Sequence, residues 1–228
     1  MFEKSMELTD LLNSNTYEIL ESLTGYVDNV DDVEAALNLY ELLMTSKGLP
    51  KELSYVASLP RMKHLIDEGW RPKEVTLDEL LVLPSDSLGF AYGSHMKHAG
   101  LTLNKLNDAS EITSSLEYVS HRMRETHDIF HVLTGFDTSQ LGEVGVLGFG
   151  MSQFRSPISI MLIPAFLYKA LLNDGPYDVL LDSAVKGIRI GQQGVQCIPG
   201  FKFEDDWEKP LAAWRHELGI TPVSQLDC

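Results

Sequence analysis

The residues that could carry chemistry gather in one stretch, Arg124-Glu125-Thr126-His127-Asp128-Ile129-Phe130-His131. On a helix, side chains four positions apart lie one turn apart on the same face. His127 and His131 therefore offer two imidazoles to one metal ion. Glu143 follows 12 residues after His131. Gly135 ends the first helix and Ser139 can cap the next, which puts Glu143 in the first turn of a second helix. A helix–turn–helix hairpin folds that carboxylate back over the His pair. Asp128 completes a His-Asp-x-x-His-x(11)-Glu set. It points about 100° away from His127 around the helix, so it is a ligand, an anchor for an imidazole, or a general base.

Two neutral imidazoles with one or two carboxylates suit Zn²⁺ first, then Fe²⁺ or Mn²⁺. Mg²⁺ fits less well, because it prefers oxygen ligands and keeps its waters. Three or four protein ligands leave a coordination position open or nearly so, as catalytic and ligand-binding sites do. In an enzyme, His127, Asp128, His131 and Glu143 would be the catalytic residues. The motif is not the His-Glu-x-x-His of zinc proteases, since Asp replaces Glu on a shorter arm. Arg124 stands four residues before Asp128 and can pair with it or with an anionic ligand.

The other histidines carry less. His95 and His98 are three apart without an acidic helix partner and read as plain surface. His64, His121 and His216 stand alone. No Gly-x-Ser-x-Gly elbow, phosphate-binding loop or dinucleotide fingerprint after a strand occurs.

The elements that must position the motif are helical. Val33, Ala36, Leu37, Tyr40, Leu43 and Met44 recur at helical spacing, with a stop expected at Gly48-Leu49-Pro50. Further helices are predicted over about 88–97, ending at Gly100, and over about 110–133, ending at Gly135. An apolar segment from Ser139 to Leu172 should break near Ser156-Pro157 and at Pro164. Residues 178–193 form another helix, and Trp207, Leu211, Trp214 and Leu218 a last stripe closed by Gly219. Residues 196–203 are the only strand candidate, spoiled by Pro199-Gly200. The expected architecture is all-α, a single-domain multi-helix bundle over residues 1–228.

Glycines at 142, 145 and 148 each disfavour a helix by about 1 kcal/mol against alanine. Something must approach that helix closely, either another helix or a flat or linear ligand. The stretch after them is strongly apolar, with Phe149, Met151, Phe154, Leu162 and Phe166. It is core, or it lines a tunnel for a long hydrocarbon with the metal at its mouth.

Composition narrows the partners. The 228 residues hold 18 Lys+Arg against 33 Asp+Glu, a formal net charge of −15. Such a balance excludes a phosphate-tracking nucleic-acid binder. Two cysteines, Cys197 and Cys228, make neither a disulfide framework nor a Cys-based zinc motif. The N-terminus lacks an apolar core and reads as neither a secretory signal nor an Arg-rich transit peptide. The chain is expected to be cytoplasmic, with contact at the inner face of a membrane left open. The Trp207/Trp214 stripe and the apolar helices suggest a homodimer.

The His-Asp-x-x-His-x(11)-Glu set resembles the coenzyme Q (ubiquinone) biosynthesis protein 4 family. Arg122-Met123-Arg124, Leu141-Gly142-Glu143, Gly191-Gln192-Gln193-Gly194, the segment from Leu83-Pro84 to Gly89-Phe90-Ala91-Tyr92, and the ending from Trp207-Glu208-Lys209-Pro210 to Glu217-Leu218-Gly219-Ile220 extend the likeness over about residues 23–221. The resemblance implies an all-α fold and a divalent metal, usually zinc, at His127, Asp128, His131 and Glu143. It implies a polyprenyl or isoprenoid lipid and peripheral membrane association; a divalent ion with Arg124 or Arg122 could hold an anionic head group. It further implies a part in ubiquinone synthesis, either as the enzyme replacing the ring carboxyl at C1 by oxidative decarboxylation or as a carrier or scaffold among quinone-biosynthesis proteins. Eukaryotic members are mitochondrial, so a chain without a transit peptide looks like a bacterial relative. An HD-type phosphohydrolase is a weaker alternative, because His131 and Glu143 sit at the wrong spacing for it.

Overall fold

The structure, a computed structural model, describes residues 14–28, 38–39, 42–43, 48–101, 103 and 112–226. The described elements are helices α1 (Ser14–Asp28), α2 (Gly48–Ser58), α3 (Pro60–Glu68), α4 (Leu77–Leu81), α5 (Leu88–His98), α6 (Ser115–Glu125), α7 (His127–Thr134), α8 (Gln140–Phe154), α9 (Pro157–Leu172), α10 (Tyr177–Gln193) and α11 (Leu211–Leu218), with short 3₁₀ turns late in the chain. No strand occurs among the described residues, only one isolated bridge between Ser87 and Pro210. The fold is all-α, as expected.

Local chemistry explains most boundaries. The Ser114 side chain accepts from the Glu117 amide while the Glu117 carboxylate accepts from the Ser114 amide, a reciprocal cap that starts α6. Ser139 accepts from the Gly142 amide and starts α8. Gly135 closes α7 at φ 78°, a left-handed conformation that glycine takes without strain.

Several boundaries differ from the sequence reading. Residues 110–133 are not one helix. At Thr126 (φ −92°, ψ −3°) the hydroxyl donates to the Arg122 carbonyl at 2.8 Å, and the chain restarts as α7 with His127 at its first position. Gly48-Leu49-Pro50 opens α2, because proline is tolerated in a first turn, where amides lack partners anyway; the end of the helix expected before it lies outside the described residues. Pro164 lies inside α9 without ending it. It sits on the exposed face beside Ile160, where water can take up the freed carbonyl. The strand candidate at 196–203 instead holds a 3₁₀ turn at Ile198–Gly200, and a second follows at Phe203–Asp205. The 33–44 stripe lies largely outside the described residues; Leu39 and Leu43 are helical and buried.

The helix α8 packs most extensively on α10. A Cβ on Gly148 would stand 2.2 Å from the Ala184 carbonyl, and one on Gly187 1.9 Å from the Gly145 carbonyl. Of the two readings of the glycine stripe, the close helix is the one present. Phe149, Phe154, Leu162 and Phe166 are buried in the core and Met151 is half-buried. The helix α5 packs across α7, and Trp207, ahead of α11, stacks on Tyr92 with centroids 5.2 Å apart.

Candidate metal centre

The helix α7 carries His127 and His131, and the first turn of α8 carries Glu143. The turn between them is short because Gly135 reverses the chain and the Asp137 carboxylate accepts from the Ser139 amide at 3.0 Å. The two Nε2 atoms come within 3.3 Å of each other. Glu143 presents one oxygen 3.2 Å from His131 Nε2 and the other 3.4 Å from His127 Nε2. One donor atom from each residue lies within 4.8 Å of the other two.

These separations can be tested against a metal. Ligands about 2.0–2.1 Å from a tetrahedral zinc stand roughly 3.3 Å apart, the edge of the tetrahedron. The two imidazole nitrogens already sit at that spacing, and each Glu143 oxygen sits near it from one of them. His131 Nδ1 lies 3.2 Å from the Phe136 carbonyl, which can only accept. Its proton is thereby assigned to Nδ1, and the Nε2 lone pair is left for a metal. The residues present fit a divalent ion with nitrogen and oxygen ligands.

Without a metal the same atoms share protons. Burial works against a charged His127, but the hydrogen bond and charge of Glu143, with Asp128 nearby, outweigh it and push the imidazole up to about 9. The side chain of His127 is 41% exposed, so solvent at its open edge screens part of that effect. Burial also acts to raise Glu143, yet the two imidazoles hold its carboxyl well below the usual carboxylate range.

The other expected residues separate. Asp128 stands outside the triad; its Oδ1 is 4.0 Å from His95 Nε2. One residue on from His127, it leaves the helix in another direction. Arg122, expected at a head group, is fully buried elsewhere. Its guanidinium donates to the Pro199 and Phe201 carbonyls and to Glu204, and pairs with Glu125. Arg122 thus ties α6 to the loop before α11 and has no donors directed at the triad. Arg124 is half-buried.

His95 corrects the sequence reading. It is not surface: its side chain is 15% exposed, and its ring stacks on His131 with centroids 5.4 Å apart. The reading of His98 as exposed holds. His121 is not solitary, since its Nδ1 lies 3.1 Å from Glu125. The His–Glu spacing of four was the available signal.

Fold and triad together define an all-helical protein with a three-donor candidate metal centre built on one helical hairpin. Residues 68–224 match the model of the family described as "Coenzyme Q (ubiquinone) biosynthesis protein Coq4", and the chain belongs to that family. It is 32% identical over 171 residues to the mouse "Ubiquinone biosynthesis protein COQ4 homolog, mitochondrial", covering 72% of this chain and 62% of the mouse protein. The human homolog is 31% identical over 170 residues, at 71% and 62% coverage. The match thus spans less than two thirds of those relatives. A crystal structure described as a putative ubiquinone biosynthesis protein from Nostoc punctiforme shares the fold. Its TM-score is 0.77 at 24% identity, covering 91% of this chain and 99% of that one.

Proposed function

We propose that the protein holds a divalent metal, zinc by its donor set, at His127, His131 and Glu143, and binds a polyprenylated aromatic acid beside it. The reaction would be oxidative decarboxylation at ring C1 in ubiquinone formation, in which the carboxyl leaves as CO₂, a hydroxyl takes its place, and an external oxidant such as dioxygen takes the two electrons, because zinc has no redox chemistry. The observation that carries this reading is the convergence of two imidazoles and one carboxylate, with one donor atom from each within 4.8 Å of the others, in a member of a ubiquinone biosynthesis family. The metal, when bound, supplies a Lewis acid that holds a phenol-carboxylate head.

The chain's own residues do the rest. Phe136 fixes the tautomer of His131 through its carbonyl. Asp128, outside the donor set, offers a carboxylate beside the head group. Arg124, in the last turn of α6, is the cation nearest in sequence for an anionic head. The apolar side chains Phe149, Met151, Phe154, Leu162 and Phe166 would part to admit a prenyl tail.

A carrier or scaffold role is the second reading. Ile160, Tyr168, Leu171, Leu172, Tyr177 and Leu181 on α9 and α10 are large, apolar and exposed. Such a face suits a peripheral membrane contact, with a second copy of the chain or another quinone-biosynthesis protein as competing occupants. No helix among the described residues is long and apolar enough to cross a membrane.

The test is turnover of a prenylated 4-hydroxybenzoate by the wild type and by His131→Ala. Release of CO₂ with a hydroxylated product, lost in the variant, supports the enzyme. Tightly held, unreacted lipid in native mass spectrometry supports the carrier. A wild type carrying neither metal nor lipid refutes both.

A further inference from the structure

Helix α5 lies across α7 and brings a residue to the site from about 30 positions upstream. His95 stacks on His131 at an interplanar angle of 24°. Its Nε2 is buried and has no hydrogen-bond partner among the described residues. The nearest charged group is the Asp128 carboxylate, 4.0 Å away, beyond hydrogen-bond range. An imidazole lone pair lies in its ring plane, so two nearly parallel stacked rings aim at different points. His95 therefore does not converge with the donors of His127, His131 and Glu143, and it falls outside the cluster they form.

We propose that His95 is a positioning residue of the centre, holding the plane of the His131 ring by stacking and facing the Asp128 carboxylate with Nε2. The Phe136 carbonyl fixes one end of the His131 ring but leaves it free to rock about that bond. A flat ring against its face removes that freedom. Asp128 in turn favours the orientation of His95 that places an Nε2–H toward it, so a charge on α7 helps set the ring of α5 that holds His131. The inference rests on the metal reading above, and its test separates the two.

The variants are His95→Ala, which loses ring and nitrogen, and His95→Phe, which keeps a flat ring. Far-UV circular dichroism and thermal melts of the metal-free proteins establish that both fold. Each is then titrated with Co²⁺, read by its visible absorption. Outer partners of metal-binding histidines typically contribute about 10–100-fold in affinity. His95→Ala should lose that much and shift the visible band, and His95→Phe should recover most of the affinity. In metal-free protein, proton NMR should show the His131 ring signals moving when the stacked ring is removed and returning in His95→Phe. Unchanged Co²⁺ affinity and spectrum in His95→Ala overturn the proposal. So does a loss that His95→Phe fails to restore, which would assign the effect to the ring nitrogen and not to stacking. A wild type that binds no Co²⁺ sinks the metal reading instead, and the NMR arm then decides by itself whether His95 holds the His131 ring.

Discussion

Replacing Gly187 by alanine probes the contact that places Glu143. The added Cβ would stand 1.9 Å from the Gly145 carbonyl and 2.9 Å from the Phe149 amide nitrogen, backbone atoms of α8 that cannot swing aside. Ordinary contact needs about 3.5 Å or more between such atoms, so the two helices must part by roughly 1.5 Å. Alanine in a helix gains about 1 kcal/mol over glycine by propensity, whereas overpacking typically destabilises by about 1–3 kcal/mol. Against rigid backbone the upper end applies, and the net expectation is a loss of about 1–2 kcal/mol. For a chain of this size that is a melting temperature lower by roughly 2–8 °C. Gly145 is two residues from Glu143, so the displacement should also weaken Zn²⁺ binding.

The assay is urea and thermal unfolding of metal-free protein, with Gly25→Ala as control. Gly25 is exposed in α1 with nothing within 4 Å of an added Cβ, and there alanine should stabilise by up to about 1 kcal/mol. A Gly187→Ala protein as stable as wild type would refute the close approach of α8 and α10. It would also reopen the ligand reading of the glycine stripe.

Other perturbations test the centre directly. Glu143→Gln should abolish tight Zn²⁺ binding in calorimetry, and in metal-free protein the raised His127 pKa should fall back toward 6.5, followed by NMR. In metal-free protein the His127–Glu143 pair acts on stability in two directions. The raised His127 contributes fully below 6.5 and is lost as pH rises through about 9, while the lowered Glu143 contributes above 4.5 and is lost on acidification below it. Metal reverses the first sign, because it needs the neutral imidazole. The rise in melting temperature on adding Zn²⁺ should therefore grow from pH 6 toward 9, and a flat profile would exclude His127 as a ligand. Arg122→Ala leaves Glu204 buried beside an uncompensated gap and should destabilise by about 3–5 kcal/mol in urea titration.

What could be read from the chain alone follows distance along it. His127, His131 and Glu143 lie on two successive helices joined by one turn, and each determinant of their convergence is local: helical spacing, a left-handed glycine at 135 and a serine cap at 139. The Ser114 cap and the αL glycines at 135 and 219 are local in the same way. The break at Thr126 was missed because a threonine hydroxyl competing for an i−4 carbonyl leaves no mark in hydrophobic periodicity.

Arg122 and Arg124 could have been separated without coordinates. Two residues apart on a helix, they leave it roughly 200° apart, so both could not face one head group. The partners that claim Arg122, at Pro199, Phe201 and Glu204, come from 77 or more residues away. His95 is the same case in reverse. Nothing near it in sequence marks it off from His98, and the two diverge only because α5 turns the side of Tyr92, His95 and Met96 toward the core and leaves His98 in solvent. A donor set confined to one hairpin is thus legible from spacing, but a residue that orients those donors through a helix crossing is visible only once the crossing is known. The functional weight of His95 has to be sought in the metal affinity of its variants, because its sequence neighbourhood carries no trace of it.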